Sequence, residues 1–182
     1  WLTRAGVGGA GAGERSPGER AALAPAGADA VQPAADKKGL ARTVDADASV
    51  GASGRPALLR KAVRNLLDNA VKYTREGGVR VDVGTTADGQ ARLTCTDTGV
   101  GMSDEECATA TERFYRGTEA GRMAQGSGLG LSLIRRIVEE HDGELRLDST
   151  PGEGTRVTII LPAPSSSVPS LEPEHKQVPD VA

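Results

Sequence analysis

The sequence predicts an α+β fold, a two-layer α/β sandwich with helices on one face of a mostly antiparallel sheet. Two observations carry this. Apolar residues recur at helical spacing across Pro56–Thr74 and again across Leu129–Glu140. Each of these stretches is followed by two short segments rich in β-branched residues and separated by a turn. The order helix, strand, strand, long connection, helix, strand, strand is that of a sheet layered against helices.

The elements follow one by one. Ala28–Lys38 can form a short helix interrupted at Pro33, and Leu40–Asp45 an extended piece. Pro56 suits the first position of a helix, where its missing N–H would have no partner. That helix ends before Gly77-Gly78. Val79-Arg-Val-Asp-Val83 alternates as a half-buried strand does, the turn Ala87-Asp-Gly-Gln follows, and Ala91–Thr96 returns as a hairpin partner. Met102–Gly126 is charged and poor in residues for burial; a connection of this length is a mobile functional segment or a disordered one. Gly143–Asp148 and Thr155–Leu161 make the last two strands, around Pro151-Gly152. Residues 1–26, rich in Gly, Ala and Arg, read as a disordered leader, and 162–182, rich in Pro, Ser and Glu, as a disordered tail. The expected domain is 27–161.

Composition narrows the function. A net charge of -3 over 182 residues offers no basic surface for nucleic acid. Aromatic residues are only 2% of the chain, so the core must be aliphatic and stacking platforms for single strands are missing. Cys95 and Cys107 have no Cys or His neighbour at a metal-ligand spacing, and read as free thiols in a cytoplasmic protein. No apolar run approaches the roughly 18 residues that span a bilayer. The chain starts at Trp1, so it is expected to be a piece of a longer protein, whose membrane topology is left open.

The chemistry concentrates in three stretches. Asn65, Asn69 and Lys72 fall to one side of the apolar face made by Leu59, Ala62, Val63, Leu66, Leu67 and Ala70, taking about 100° per residue. Carboxamide oxygens can ligate Mg²⁺ without repelling phosphates, and a lysine supplies a point charge for one. Solvated asparagines are the commoner case, but two of them inside a helix lower its propensity without evident gain. Asp97-Thr-Gly99-Val-Gly101 follows a strand; its carboxylate can accept from an exocyclic amine, and its glycines allow close approach. A plain turn is the alternative for that motif alone. Gly126-Ser-Gly128-Leu-Gly130 opens a helix, where backbone N–H groups attract an anion. No P-loop occurs, and Gly6-Val-Gly8-Gly-Ala-Gly11 matches a dinucleotide fingerprint without the strand and helix it needs.

Taken together, these residues resemble the catalytic and ATP-binding domain of sensor histidine kinases, in the superfamily of gyrase, Hsp90, histidine kinase and MutL ATPases that shares the Bergerat ATP-binding fold. Asn65–Thr74 looks like the N box, Asp97–Met102 the G1 box, Glu112–Gly117 the F box and Gly126–Leu131 the G2 box, within a resemblance covering roughly residues 40–161. It implies ATP and Mg²⁺ as ligands, with Asn69 and Asn65 at the metal, Lys72 on phosphate and Tyr73 against the nucleotide. It implies that Asp97 reads the adenine amine on a wall shaped by Gly99, Gly101 and Met102. Arg113 and Arg116 would carry charge to the phosphates on a long mobile lid that Phe114 packs down. Gly126, Ser127, Gly128, Leu129 and Gly130 would close the phosphate end. Asn65, Lys72, Arg113 and Arg116 are the implied catalytic set. Where hydrolysing branches of the superfamily keep a glutamate, Asn65 supplies no base, which favours transfer over hydrolysis.

A histidine kinase also needs a phosphoacceptor histidine. The two histidines here, His141 after the second helix and His175 in the tail, read as structural and incidental. The acceptor is therefore expected on a separate dimerisation domain, in a longer parent chain or in trans, with a response regulator downstream and homodimers only in the full-length kinase. By itself the chain is expected to bind ATP and form no phosphohistidine. The rival readings are an anti-sigma-type serine kinase, against which the F box Glu-Arg-Phe-Tyr-Arg-Gly argues, and a non-catalytic nucleotide-binding module.

Overall fold

The structure, a computed structural model, describes residues 20–23, 28–112 and 130–164. In chain order it contains β1 (Arg20–Ala22), α1 (Ala28–Lys38), β2 (Ala41–Ala46), β3 (Gly51–Ser53), α2 (Pro56–Tyr73) and β4 (Gly78–Thr85). Then come β5 (Ala91–Asp97), α3 (Asp104–Thr109), α4 (Gly130–Glu139), β6 (Glu144–Thr150) and β7 (Gly154–Leu161). Five strands form one sheet in the order β2-β4-β5-β7-β6. Only the β2–β4 pair of that sheet is parallel, so the sheet is mostly antiparallel as expected. β1 and β3 form a separate antiparallel ribbon.

Alternation decides which face the helices cover. Val79, Val81 and Val83 of β4 are buried, and so are Leu93 and Cys95 of β5 and Val157 and Ile159 of β7. The residues between them, such as Arg80, Arg92 and Arg156, face away from that core and are exposed. Against the apolar face lie Leu59, Ala62, Val63, Leu66, Leu67, Ala70 and Val71 of α2, with Ile134, Ile137 and Val138 of α4 beside them. Burying side chains of this size stabilises the fold by about 1.5–3 kcal/mol each. The core is aliphatic throughout, as the scarcity of aromatics requires.

Both ends of α2 are closed by distant groups. Its last carbonyls have no intrahelical partners. Lys38, at the end of α1, donates to three of them: Val71 O at 2.7 Å, Lys72 O at 2.9 Å and Thr74 O at 3.0 Å. Tyr73 O accepts the N–H of Val100 at 3.3 Å, and Ala70 O accepts the Thr74 hydroxyl at 2.7 Å. Partial burial pushes the Lys38 ammonium below its ordinary pKa, while the carbonyls use its donors. At the other end, the N-cap residue Arg55 makes no side-chain cap. Its backbone N–H donates instead to Nε2 of His141 at 3.0 Å, and its guanidinium pairs with Glu140 at 2.6 Å. Because Nε2 accepts, Nδ1 carries the ring proton and donates to Ile137 O at 2.6 Å. His141 is thus structural, as the sequence suggested.

The end of α4 is a Schellman motif: Gly143 N donates to Val138 O and Asp142 N to Glu139 O, at 3.0 and 3.1 Å. The left-handed residue that this motif requires is Asp142, with φ of 54°, where glycine is the easier choice.

Three expectations are corrected. The packed unit reaches back to β1, because Ala21 and Leu23 are buried in the core, although 1–26 read as a leader. Three residues are too few to show a period, and their strand forms only through β3. Pro33 lies inside α1 without interrupting it; a proline there forfeits one ladder bond, and the Gln32 side chain donates to Asp36 along the same helix. Within the predicted 102–126 connection, Asp104–Thr109 is helical. Ser103 and Glu106 form a reciprocal capping box there, in the S-x-x-E spacing that starts such helices.

Two substitutions test this account of the helix ends in urea unfolding. Lys38→Met should lower stability by about 1 kcal/mol, since the freed carbonyls recover only part of their bonding from water. Asp142→Gly should raise it by roughly 0.5–1 kcal/mol by relieving the left-handed backbone.

Candidate functional site

One cleft of about 90 Å³ opens between α2, the ends of β5 and β7, and the loop after β5. Helical spacing puts Leu66, Asn69, Ala70 and Tyr73 of α2 along one wall. Residues two apart share a sheet face, so β5 supplies Cys95 and Asp97, and β7 their cross-strand partners Val157 and Thr155. Val100, Gly101, Met102, Ala110 and Leu131 complete the rim. The floor is apolar and includes the Cys95 thiol. Burial, with a smaller contribution from the charges of Asp97 and Asp82, pushes that thiol up to about 12, so it stays protonated and acts as a small apolar group.

Asp97 is the half-buried carboxylate of this cleft. Its carboxylate accepts the N–H of Gly99 at 2.8 Å, and the backbone N–H of Thr155 also favours its charged form. Burial raises its pKa, and these two hydrogen bonds act in the opposite direction. The loop beyond it is pressed against the backbone on both sides. A Cβ at Gly99 would come within 2.5 Å of Tyr73 O, and one at Gly101 would run into Thr150 O. Gly101 also needs its positive φ of 63°. Val100 O accepts Gly152 N at 2.8 Å, and Met102 N donates to the Ser149 hydroxyl at 2.9 Å. The glycines are there because backbone meets backbone.

Of the residues singled out in the sequence, Asn69, Tyr73, Asp97, Gly101 and Met102 line the cleft, with Gly99 buried beneath its loop. Gly130, at the start of α4, lies against Asn69: a Cβ there would come within 2.8 Å of Nδ2 and 3.0 Å of Oδ1. The N box and the end of the second glycine motif therefore meet. Asn65 does not line the cleft; its carboxamide donates back to Lys61 O at 2.8 Å. It sits one turn before Asn69, about 6 Å along the axis, where the spacing i, i+4 gave no warning of the difference. Lys72 is also outside the lining, its amine 4.8 Å from the centre of the Tyr73 ring. Arg113, Phe114, Arg116, Gly126, Ser127, Gly128 and Leu129 lie outside the described residues. Thr155 and Ser149 were missed. The pairing that sets Thr155 opposite Asp97 follows from antiparallel register, which the sequence does not state.

A long helix, a carboxylate at a strand end and a glycine loop around an apolar floor define a nucleotide-binding α+β module. Residues 54–165 match the family model of the histidine kinase-, DNA gyrase B-, and HSP90-like ATPases, and the chain belongs to that family. The chain is similar to the signal transduction histidine-protein kinase/phosphatase MprB of Mycolicibacterium vanbaalenii, 43% identical over 128 residues, which are 67% of this chain and 26% of that protein. It is also similar to the sensor-like histidine kinase SenX3 of Mycobacterium tuberculosis, 36% identical over 132 residues, 71% of this chain and 32% of that protein. Among solved structures, mycobacterial sensor histidine kinase MprB superposes with a TM-score of 0.70 at 29% identity, covering 80% of this chain and 98% of that one. The chain spans under a third of the length of these curated relatives. It carries the ATP-binding domain of the sensor histidine kinase type.

Asp97 yields a prediction with a definite sign. Its folded carboxyl titrates above the ordinary 3.8, so as pH falls the native state takes up this proton before the unfolded chain does. Its cost to stability is present above the folded pKa and is relieved below it. Carboxyl ¹³C shifts should give a midpoint above 3.8; a midpoint below that value would mean that the two N–H bonds outweigh burial.

Proposed function

We propose that this domain binds Mg-ATP and delivers its γ-phosphoryl to a histidine on a separate dimerisation and phosphoacceptor domain, from which a response regulator takes it in two-component signalling. The observation that carries this reading is the convergence of Asn69 and Asp97 on one cleft, with Gly130 at the start of α4 packed against Asn69. A solved structure at 25% identity and a TM-score of 0.68, full-length ShkA in complex with AMPPNP, supports a triphosphate ligand for the same fold.

The residues fit the ligand. The apolar floor and the carboxylate suit a flat base with an exocyclic amine, which Asp97 would accept from. Asn69 offers a neutral carboxamide oxygen at the phosphate side. Among the described residues no three His, Cys, Asp or Glu side chains cluster to hold a metal. A divalent ion would therefore rest on Asn69, phosphates and water, as Mg²⁺ commonly does. When bound, that ion would offset charge on the transferring phosphate. Tyr73 would flank the nucleotide, with the Lys72 charge beside its ring. Arg113 and Arg116 would add charge from the lid, and Gly126–Leu129 would close the phosphate end. Asn65, where hydrolysing branches of the superfamily keep a glutamate, is a carboxamide and supplies no base, which suits transfer rather than hydrolysis. His141 spends both ring nitrogens on the backbone, so it does not serve as acceptor. The same reading puts the domain in the cytoplasm, where ATP is available.

Calorimetry tests the binding half. Wild type should bind ATP with Mg²⁺-dependent affinity, and Asn69→Ala should abolish the Mg²⁺-dependent part. Gly130→Ala displaces only the tip of a short side chain, so it should leave the unfolding midpoint unchanged while weakening Mg-ATP by about tenfold. For the transfer half, labelled ATP and a separately expressed acceptor domain should give phosphate that is lost in acid. Acid-stable label would point to a serine acceptor, and no Mg-dependent ATP binding would sink the proposal.

A further inference from the structure

The hydroxyl of Ser149 on β6 makes three hydrogen bonds, all to the nucleotide cleft's loop and wall. It accepts Met102 N–H at 2.9 Å, donates to Gly154 O at 2.8 Å and lies 2.9 Å from the Thr155 hydroxyl. With its single proton directed to Gly154 O, it accepts from Thr155, so its bonding capacity is full. Each partner leads into the cleft. Met102 and Thr155 line it, and Thr155 stands directly opposite Asp97 in the β5–β7 register, its backbone N–H favouring the carboxylate's charge. Gly154 abuts the other side of Asp97, since a Cβ there would run into Asp97 O. Ser149 itself does not line the cleft.

We propose that Ser149 is a positioning residue for nucleobase selection: its hydroxyl locks the loop ending at Met102 to the start of β7, and so sets where Asp97 meets the base. The inference rests on the reading of this cleft as an ATP site. Without the hydroxyl, Met102 N–H and Gly154 O lose their shared partner, and Thr155 loses its side-chain anchor. Among the described residues, Asn69 and Gly130, at the triphosphate end, share no hydrogen bond with Ser149. The loss should therefore fall on recognition of the base and spare binding of the phosphates.

The test is calorimetric titration of the full chain with Mg-ATP and Mg-GTP, in wild type, Ser149→Ala and Ser149→Thr. Wild type should prefer ATP. Ser149→Ala should lose about tenfold in ATP affinity with little change for GTP, so that the preference shrinks by the same factor. Ser149→Thr, which keeps a hydroxyl, should restore it. An unchanged ATP-to-GTP ratio in Ser149→Ala overturns the inference while leaving the ATP site standing. Wild type that binds neither nucleotide overturns both. Hydrogen exchange in wild type needs no variant: the Met102 amide should be protected in the free protein, and exchange at open-loop rates would overturn the lock.

Discussion

Apart from the Thr74 hydroxyl on Ala70 O, the ends of α2 are closed by residues far away in the chain, and the position of the cleft depends on what closes them. Arg55 provides no side-chain cap at the start, and the last carbonyls extend beyond the ladder. The fold brings a histidine from the end of α4, a lysine from the end of α1 and an amide from the loop after β5 to fill these positions. These are contacts between residues far apart in the chain, so they form only when the layers assemble. An apolar stripe alone would let α2 slide or rotate on the sheet; polar caps at both ends fix its register. That register decides which residues of α2 face the cleft.

The same economy governs the opposite wall. Val100 N–H, which closes Tyr73 O, belongs to the loop that carries Gly99 and Gly101. The helix end and the glycine loop are therefore one unit, and the β6–β7 hairpin holds that unit from behind through Gly152 and Ser149. Backbone and the Ser149 hydroxyl tie down the loop and wall, which leaves an apolar floor of Leu66, Ala70, Cys95 and Val157 beside the Asn69 amide and one carboxylate. Such a surface suits the flat heterocycle with one polar edge that the proposed function requires.

Much of this was legible in the sequence, for local reasons. The stripe Leu59–Ala70 and the alternation Val79–Val83 are periodic patterns that tertiary contacts confirm and do not create. Asn69 and Asp97 were legible as unusual residues inside a helix and at a strand end, and the glycines because a tight loop against neighbouring backbone demands them. The illegible parts depend on registers between distant segments. Lys38 capping α2, Ser149 holding Met102 and β1 pairing with β3 have no signature within a single window. Asn65 shows the converse: its spacing placed it with Asn69, but one helical turn separates a residue that lines the cleft from one that bonds its own backbone.

The central claim is that α2 presents Asn69, and not Asn65, to a bound magnesium nucleotide. Side-chain amide ¹⁵N–¹H spectra of the chain, titrated with ATP in the presence and absence of Mg²⁺, test it most directly. The account predicts that the Asn69 amide moves in a Mg²⁺-dependent way together with the backbone amides of Gly99 and Gly130, while the Asn65 amide stays where its bond to Lys61 holds it. A Mg²⁺-dependent response at Asn65 with none at Asn69 would contradict it.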